Sequence, residues 1–339
     1  MVTNRLTIYE NKKIVEEVDL FYLPVPSSLV FLILPFRSFL NFWQILWQSQ
    51  KLRKKYGKID IYFTVNGFAA WIGLILRQLG IVDKTIYWVC DYYPMDHKSR
   101  IIKFMRLLYW QFEKRTVSSD KLAFHNQRLV DAWQKHRILL KKYKALLIPI
   151  ATSETKVKKG KNPHKVKLCF LGVLKKSQGL DFIIDSAQEL QATFPGITVE
   201  VMGPGIDEGY FKKKAAQSLL KCNFYGYVTD KEIDNIISHS TIGVAPYLPD
   251  PDEVSYYGDP GKVKRYLSLG LPVITTPIHE FTKELESSRA GILVEYGNSK
   301  QLVKAIKKIN SNYQTFSKNA ADLNKKYFYK DIYPKMFDV

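Results

Sequence analysis

The chain has 339 residues, enough for two domains of ordinary size, and its 46% hydrophobic and 24% charged residues exclude a disordered protein. Its three cysteines, Cys90, Cys169 and Cys222, are too few and too far apart for a disulfide framework or a CxxC metal site, which favours a reducing compartment. With 51 Lys and Arg against 32 Asp and Glu, the formal charge is +19. A chain this basic is expected to meet nucleic acid, a membrane surface or a phosphorylated substrate.

The positive charge is concentrated in the first half of the chain. Residues 1–160 contain 27 basic and 12 acidic side chains, a net of +15, whereas residues 161–339 contain 24 and 20, a net of +4. The same half has the longest apolar run, 29–36, followed by an aromatic segment that reaches Trp47. Pro35, Arg37 and Asn41 interrupt this region, so it is too short to span a membrane.

Two interpretations of this apolar region remain open. The first is a buried strand and helix within a globular core. The second is an interfacial anchor at an anionic membrane surface, because aromatic side chains precede a basic cluster within residues 29–55. Residues 98–115, where apolar side chains at helical spacing alternate with cations, have the same ambiguity.

In chain order, the first half predicts alternating strands and helices: strand 59–65, helix 69–79, strand 85–90, helix 98–115, strand 121–125 and helix 127–136. This is the pattern of an α/β domain. We expect the domain to be incomplete, because nothing before Arg5 supplies an opening strand and glycine loop. Residues 1–155 are therefore predicted to form a shortened N-terminal domain, and the Lys- and Thr-rich stretch 151–164 to mark its boundary.

The second half gives a clearer α/β pattern, which predicts a parallel sheet with helices on both faces. Ligands bind such sheets where strands end and helices begin, and the glycines lie there: Gly172, Gly203 and Gly205 follow strands, whereas Gly258 and Gly261 precede a helix. Ordinary tight turns would explain the same glycines. The predicted strands are 165–172, 198–203, 222–225, 241–247, 272–276 and 291–294, and the predicted helices are 180–194, 211–220, 231–238, 261–269 and 299–309.

Six motifs in the right order resemble the retaining nucleotide-sugar glycosyltransferases of group 1, also called family 4, which have the two-domain GT-B fold. The resemblance covers residues 165–310 and is looser over 59–150. It implies two Rossmann-like domains facing a cleft, the N-terminal one incomplete, a donor domain over 165–310, and a C-terminal helical segment over 311–339 that packs back on the N-terminal domain. The motifs are FLGVLKKSQGLD (170–181), VMGPG (201–205), FYGYV (224–228), IGVAPY (242–247), YGDPGK (257–262) and GLPVITT (270–276).

The resemblance also implies a donor site for a nucleoside-diphosphate sugar. Lys262 would place a positive charge at the diphosphate, Tyr227 and Val228 would lie beside the base, and Tyr247 would wall the pocket. Without the surrounding motif, Lys262 would be interpreted as a solvated helix cation. The donor-binding residues that the resemblance implies are Gly172, Lys175, Lys176, Gly203, Gly205, Tyr227, Val228, Tyr247, Tyr257, Gly258, Asp259, Gly261 and Lys262.

The sequence departs from the family pattern at positions that matter. Val173 and Gln178 replace the usual Arg and Lys of the first glycine loop, and Lys175 and Lys176 either substitute for them or are simply solvated. Tyr257 and Arg265 stand where the family has two glutamates.

Asp91 replaces the acceptor-domain histidine of the family. Two roles remain open for it. It either orients a sugar or acceptor hydroxyl as a catalytic residue, together with Lys262, or caps a strand end.

The family resemblance implies transfer of a sugar to a glycan or lipid-linked acceptor, with retention at the anomeric carbon. The leaving diphosphate would be stabilised electrostatically, so no metal or other cofactor is expected. The alternative is a catalytically inactive relative that acts as a partner subunit. Nucleic acid is not an expected partner, since no nucleic-acid-binding motif is present. The expected location is cytoplasmic, peripheral at the inner face of the cell membrane.

Overall fold

The computed structural model describes residues 4–23, 30–154 and 165–338. Its contacts divide the chain into two compact units, Met1–Trp88 with Met95–Leu122, and Val89–Pro94 with Ala123–Val339. Most of the predicted boundary stretch, residues 155–164, lies outside the described residues, as does Leu29 at the start of the apolar run.

The first unit opens with an antiparallel hairpin to which the sequence analysis assigned no element. Strands β1 (Asn4–Glu10) and β2 (Lys13–Leu20) pair in register from Asn4 opposite Leu20 to Glu10 opposite Lys13. The turn between them places Asn11 and Lys12 at φ of 50° and 65°, the positive values that a tight hairpin turn requires. It lacks the Asn-Gly or Asp-Gly signal that would have predicted it.

A single long helix, α1 (Val30–Tyr56), follows, so the predicted strand at the start of the apolar run is wrong. Leu, a good helix former, recurs in the run, and the length of the helix outweighs Pro35, which lies inside it and removes one backbone hydrogen bond. One side of α1 packs through Phe42, Ile45 and Leu46 against the core of the first unit. Other aromatic side chains of the helix stay exposed, and Trp47 keeps 63% of its surface accessible.

The remaining elements of the first unit lie close to their predicted positions. Strand β3 (Ile59–Thr64) pairs in parallel with β4 (Val82–Val89), and helices α2 (Gly67–Gln78) and α3 (Arg100–Glu113) follow the two strands. Asn66 starts α2 because its side-chain oxygen accepts hydrogen bonds from the N–H groups of Phe68 and Ala69 at 3.0 and 3.2 Å.

From residue 121 onward, strands and helices alternate. Predicted bounds are mostly correct within a few residues, with three exceptions. The predicted helix 180–194 is two helices that meet at Ser186, and neither the short strand Leu146–Leu147 nor the helix over Phe281–Ser287 was predicted. The elements are β5 (Lys121–Phe124), α4 (Gln127–Lys135), β6 (Leu146–Leu147), β7 (Lys167–Leu171), α5 (Leu180–Asp185), α6 (Ala187–Thr193), β8 (Thr198–Met202), α7 (Glu208–Ala216), β9 (Lys221–Gly226), α8 (Asp230–Ser238), β10 (Ile242–Ala245), α9 (Gly261–Ser268), β11 (Val273–Thr275), α10 (Phe281–Ser287), β12 (Gly291–Leu293), α11 (Ser299–Ser311), α12 (Tyr313–Asn324), α13 (Tyr329–Ile332) and α14 (Pro334–Phe337).

Six parallel strands of the second unit form one sheet in the order β12-β11-β10-β7-β8-β9. Strand β7 shows why both faces are covered: Leu168 and Phe170 lie in one core cluster, and Cys169 between them lies in another. The strand order reverses between β7 and β10, which is the place where open parallel sheets bind ligands. The predicted α/β fold class is confirmed.

The C-terminal helical segment is anchored within the second unit by backbone hydrogen bonds. The N–H of Thr152 donates to the carbonyl of Tyr327 at 2.7 Å, and the N–H of Tyr329 donates to the carbonyl of Thr152 at 2.9 Å. Lys325 to Tyr327 form a short helical turn between α12 and these contacts. These hydrogen bonds join Thr152 to residues 327–329.

Candidate functional site

Two glycine turns meet at the carboxyl ends of β7 and β8. Gly172 and Gly203 have φ of +146° and +118°, values that L side chains rarely adopt. The N–H of Gly172 donates to the carbonyl of Met202 at 2.9 Å, and a Cβ on Gly203 would lie only 2.2 Å from the carbonyl oxygen of Gly172. A Cβ on Gly205 would likewise lie 2.2 Å from the carbonyl oxygen of Leu174. Gly203 and Gly205 are thus needed for close packing of the two turns.

Lys262, the second residue of α9, brings its ammonium to this point. A Cβ on Gly172 would lie 2.8 Å from Nζ of Lys262. The ammonium also lies 4.5 Å from the ring centre of Phe170 and 4.7 Å from that of Tyr247. Part of the Lys262 surface stays accessible, but these walls desolvate the ammonium and lower its pKa to about 7.

The partner of Lys262 is a neutral side chain. Its Nζ donates to Oε1 of Gln178 at 2.7 Å, and within the described residues it makes no ion pair with a carboxylate. Gln178 is one of the departures from the family pattern. An amide oxygen holds the ammonium in place without neutralising it, so the positive charge is available to an anion.

The other two predicted cations of this loop point elsewhere. Nζ of Lys175 lies 2.6 Å from a carboxylate oxygen of Glu253, and the ammonium of Lys176 lies 4.3 Å from the ring centre of Tyr210. The structure therefore brings Lys262 to the Gly172 turn and engages Lys175 and Lys176 in contacts of their own. Their predicted donor-binding role stays a prediction.

Tyr247 forms a buried wall beside Lys262, and it contacts a histidine that the sequence analysis missed. The rings of Tyr247 and His279 are 4.5 Å apart, and Nε2 of His279 donates to the carbonyl of Ser255 at 2.9 Å. Burial lowers the pKa of His279 to about 4, so this ring is neutral at pH 7. Its position after β11 was the only available signal, and no motif marked it.

Asn126 and Arg128, at the start of α4, hold the segment that leads into α9. The side-chain amide of Asn126 donates to the carbonyls of Tyr257 and Gly258 at 2.9 and 3.2 Å, while its oxygen caps α4. The guanidinium of Arg128 lies 4.2 Å from the ring centre of Tyr256 and donates to the Tyr256 carbonyl at 2.6 Å. Sequence reasoning missed both residues, because nothing in their local pattern distinguishes them from ordinary helix-start residues.

Asp259 is buried in an ion pair with Lys264 at 2.5 Å, and it accepts a hydrogen bond from the N–H of Ile150 at 2.6 Å. Lys264 also donates to the Ile150 carbonyl at 2.9 Å. Gly261 begins α9, and a Cβ on it would lie 3.5 Å from Cδ1 of Ile150. These contacts fix the start of α9, so the predicted role of Asp259 at the donor stays a prediction beside a well-defined structural one.

The predicted base-side residues follow β9. Tyr227 is 83% exposed, and Val228 is half-buried against the core. Arg265 is bound by Asp234, with Asp230 at 3.7 Å. The arginine at one of the family's glutamate positions is therefore paired with acids from α8.

Asp91 lies in the Val89–Pro94 segment of the second unit. Its side chain is exposed at its tip, and partial desolvation raises its pKa above the ordinary value. The adjacent Tyr92 lies 4.3 Å, ring centre to ring centre, from Tyr257, and its hydroxyl is 2.6 Å from Nε2 of His136. A Cβ on Gly258 would meet only the Ser255 carbonyl, at 3.6 Å.

Residues 4–23, 30–154 and 165–338 contain no group of three or more His, Cys, Asp or Glu side chains that could hold a metal ion. No helix in the part of the chain that the structure describes is both long and apolar enough to cross a membrane.

Comparison with protein families finds a match within the second unit. Residues 165–312 match the family described as Glycosyl transferases group 1. This region, which is less than half of the chain, is similar to the group 1 glycosyltransferases. The resemblance that the motifs indicated is thereby confirmed, and with it the enzyme class, a glycosyltransferase. No curated protein sequence matches the chain.

Solved structures with the GT-B fold are similar to the chain. Sucrose-phosphate synthase from Thermosynechococcus elongatus is 16% identical, with a TM-score of 0.66 over 92% of this chain and 78% of that one. Anabaena HepE in complex with UDP-glucose is 13% identical, with a TM-score of 0.67 over 87% and 80%. TarM of S. aureus, in a complex that includes UDP, is 12% identical with a TM-score of 0.66. The match covers 86% of this chain but only 58% of TarM. These similarities confirm the GT-B type of fold.

Proposed function

We propose that this glycosyltransferase takes its sugar from a nucleoside-diphosphate donor bound at the Gly172 turn and the start of α9. The observation that carries the proposal is the Lys262 ammonium, which lies beside Gly172 with Gln178 as a neutral partner. Backbone N–H groups at the start of α9 add hydrogen-bond donors and the positive end of the helix dipole. Neighbours crystallised with UDP or UDP-glucose support this choice of donor.

The chemistry assigned to Lys262 is stabilisation of the leaving diphosphate. As the bond between the anomeric carbon and the phosphate oxygen breaks, negative charge grows on the phosphate oxygens. A preorganised cation there stabilises the transition state more than the ground state and so lowers the barrier. The site needs no protein base if the departing phosphate oxygen accepts the proton of the acceptor hydroxyl on the same face. That geometry corresponds to retention at the anomeric carbon. We further propose that the step needs no bound metal, so chelation by EDTA should leave the rate unchanged.

The acceptor is proposed to be a glycan or lipid-linked saccharide presented at an anionic membrane surface. The support is the net charge of +15 on residues 1–160, which far exceeds what one diphosphate requires. Asp91 is the proposed contact for an acceptor or donor hydroxyl, since its exposed carboxylate stands beside Tyr92, which packs on Tyr257. Cytoplasmic location at the inner membrane face follows from this proposal and is part of it.

Saturation-transfer difference NMR with UDP, GDP and a panel of their sugars tests the donor assignment. We expect one nucleotide to give strong transfer to its ribose and phosphate-proximal sugar protons, and Lys262→Ala to shift the ligand concentration that saturates the signal upward at least 10-fold. Lys300→Ala, which removes an exposed lysine of α11, is the matched control and should leave the signal intact. A panel in which no nucleotide gives a signal would overturn the proposal.

A second function has specific support. Arg265 is bound by Asp234 where the family has a glutamate, and Tyr257 occupies the other glutamate position. These changes favour a domain that binds a nucleotide sugar without turnover and acts as a partner subunit. Detectable transfer from any nucleotide sugar to an acceptor extract excludes this second function.

A further inference from the structure

An apolar pocket of about 460 Å³ lies between α1, α2 and α3 of the first unit, within the volume range of ligand sites, roughly 300–1,000 Å³. Aromatic rings form most of its wall. Phe42 and Trp71 stack with ring centres 5.9 Å apart, and Phe112 lies 5.0 Å from both Trp71 and Phe68. Among the residues that the structure describes, no charged side chain lines it. A polar sugar or nucleotide therefore does not fit its chemistry.

The pocket opens onto exposed apolar surface on both α1 and α3. Phe39 of α1 and Leu108 of α3 line the pocket and are 56% and 39% exposed. Apart from Tyr56 at the end of α1, the exposed large apolar residues of each helix are spaced so that they lie on one face. They are Phe36, Phe39, Trp43 and Trp47 on α1, and Ile101, Phe104, Leu107 and Leu108 on α3.

The exposed charged side chains that belong to α1 and α3 themselves are all positive. Helix α1 has five cations and no acidic residue, and the one acid of α3, Glu113, is buried. Two cations pair with acids outside the helices, Lys55 with Glu16 at 2.5 Å and Lys103 with Asp96 at 2.7 Å. An apolar face bordered by cations is complementary to anionic headgroups above a hydrocarbon layer.

From this combination we infer that the pocket receives one hydrocarbon chain of a membrane lipid whose headgroup is anionic, and that the lipid-linked acceptor of the proposed function enters by its tail. The second clause rests on the proposed function, whereas the first does not. Charge also argues against self-association through this face, because a second copy would bring its own net charge of +15 against the first.

Dansyl-undecanoic acid, used below its micellar concentration, is the probe for the pocket. We expect saturable one-to-one binding to the full chain, seen as energy transfer from tryptophan to the dansyl group. Ser38→Phe places a ring in the pocket and should weaken binding at least 10-fold, and Leu108→Trp should do the same from the rim. Two filling variants are used because one could disturb folding, which circular dichroism would reveal. No saturable binding, or equal binding by the wild type and both folded variants, would overturn the inference.

Vesicles separate the pocket from the surrounding surface. Phe104→Ser removes an exposed apolar side chain outside the pocket, so it should weaken sedimentation with phosphatidylcholine vesicles containing 30% phosphatidylglycerol while keeping probe binding intact. Ser38→Phe should show the reverse. A concentration-dependent dimer that buries this face and excludes the probe would contradict the inference. Donor binding, measured on the same variants, should be unchanged, so loss of the nucleotide assignment and loss of the pocket assignment are separate outcomes.

Discussion

The ammonium of Lys262 lies 2.7 Å from the side-chain oxygen of Gln178, and this pair stands where two glycine turns converge. A partly desolvated cation held by an amide keeps its charge for an incoming anion. Burial lowers the pKa of Lys262 to about 7, so the protein sacrifices stability to hold the charge there.

Replacing Lys262 should separate donor binding from stability. Lys262→Met removes a charge-assisted contact worth about 1.5–3 kcal/mol, so nucleotide-sugar affinity should fall about 10- to 150-fold. The same change removes a partly buried ammonium, and the melting temperature should rise. Calorimetric titration and thermal unfolding measure the two effects. Lys300→Met on α11 is the control and should alter neither; a variant that loses stability without losing affinity would contradict the assigned role.

Donor binding should depend on pH through the same group. An anionic diphosphate favours the protonated lysine, so binding should take up a proton between pH 7 and 9, and affinity should fall as pH rises through this range. Titrations in buffers of different ionisation enthalpy measure the uptake directly. In Lys262→Met the uptake should vanish. Wild-type uptake that persists in the variant would assign the proton to another group.

The contribution of Lys262 to stability should have the opposite pH dependence. The unfolded lysine keeps its proton up to its ordinary pKa of 10.5, whereas the folded one releases it near 7. The unfolded state therefore binds more protons between these values, and the free energy of unfolding gains a term that rises with pH through that window. Below pH 7 the term is constant. The difference in stability between Lys262→Met and wild type should thus narrow from pH 7 to pH 10, measured by urea unfolding.

Arg128 is expected to position the segment that leads into α9. Its guanidinium stacks on Tyr256 and donates to the carbonyls of Tyr256 and Ile278. Arg128→Ala should weaken donor binding about 3- to 10-fold by loosening this segment, with Asn126→Ala acting in the same direction. Lys135→Ala, at the exposed end of α4, is the control. Binding that is unchanged in both positioning variants would show that the segment is held by other contacts.

The buried pair of Asp259 and Lys264 should be essential for stability. Removing one partner strands a buried charge, so Asp259→Asn or Lys264→Met should each cost about 3–5 kcal/mol of unfolding free energy. The double variant should recover part of the loss, because it leaves no unpaired charge. Urea unfolding of the four proteins provides the cycle. Additive losses in the double variant would mean that the two residues do not act as a pair.

Much of the second unit could be predicted from the sequence, because its elements follow strict local patterns. Buried runs such as β10 and β11 and the glycine turns at Gly172 and Gly203 are local signals, and their order carried the family resemblance. The positions of Lys262 and Tyr247 side by side also followed, since both sit at strand or helix ends of one sheet edge. What proved predictable was the part of the site that local chain geometry determines.

The rest depends on contacts between distant segments. Asn126 and Arg128 reach residues about 130 positions away, and His279 faces Tyr247 across a loop. Lys175 and Lys176 were predicted to bind the donor, as was Lys262. In the structure Lys175 forms an ion pair with Glu253, and Lys176 lies over the ring of Tyr210. The hairpin β1–β2 was missed because Asn11 and Lys12 adopt positive φ without a glycine. None of these pairings has a signature in the neighbouring residues.

Helices α1 and α3 carry part of the positive charge of the first half of the chain, and both expose apolar side chains. The apolar run was interpreted either as buried core or as an interfacial anchor, and α1 has a buried side and an exposed aromatic side. Four of its five cations, Lys51, Arg53, Lys54 and Lys55, lie at the C-terminal end of the helix beyond Trp47, and they are exposed. This distribution is the basis for proposing that the first unit meets the acceptor's lipid and the second unit the donor.

An assay of sugar transfer tests the proposed function most directly. The full chain is incubated with radiolabelled UDP- and GDP-sugars and a lipid extract, and label in the lipid phase is compared between the wild type, Lys262→Met and Lys300→Met. We expect one nucleotide sugar to give label in the lipid phase with the wild type and with Lys300→Met. With Lys262→Met the rate of transfer should be at least 100-fold lower. Equal rates in all three proteins, or donor binding without transfer to any acceptor tested, would contradict the proposed function.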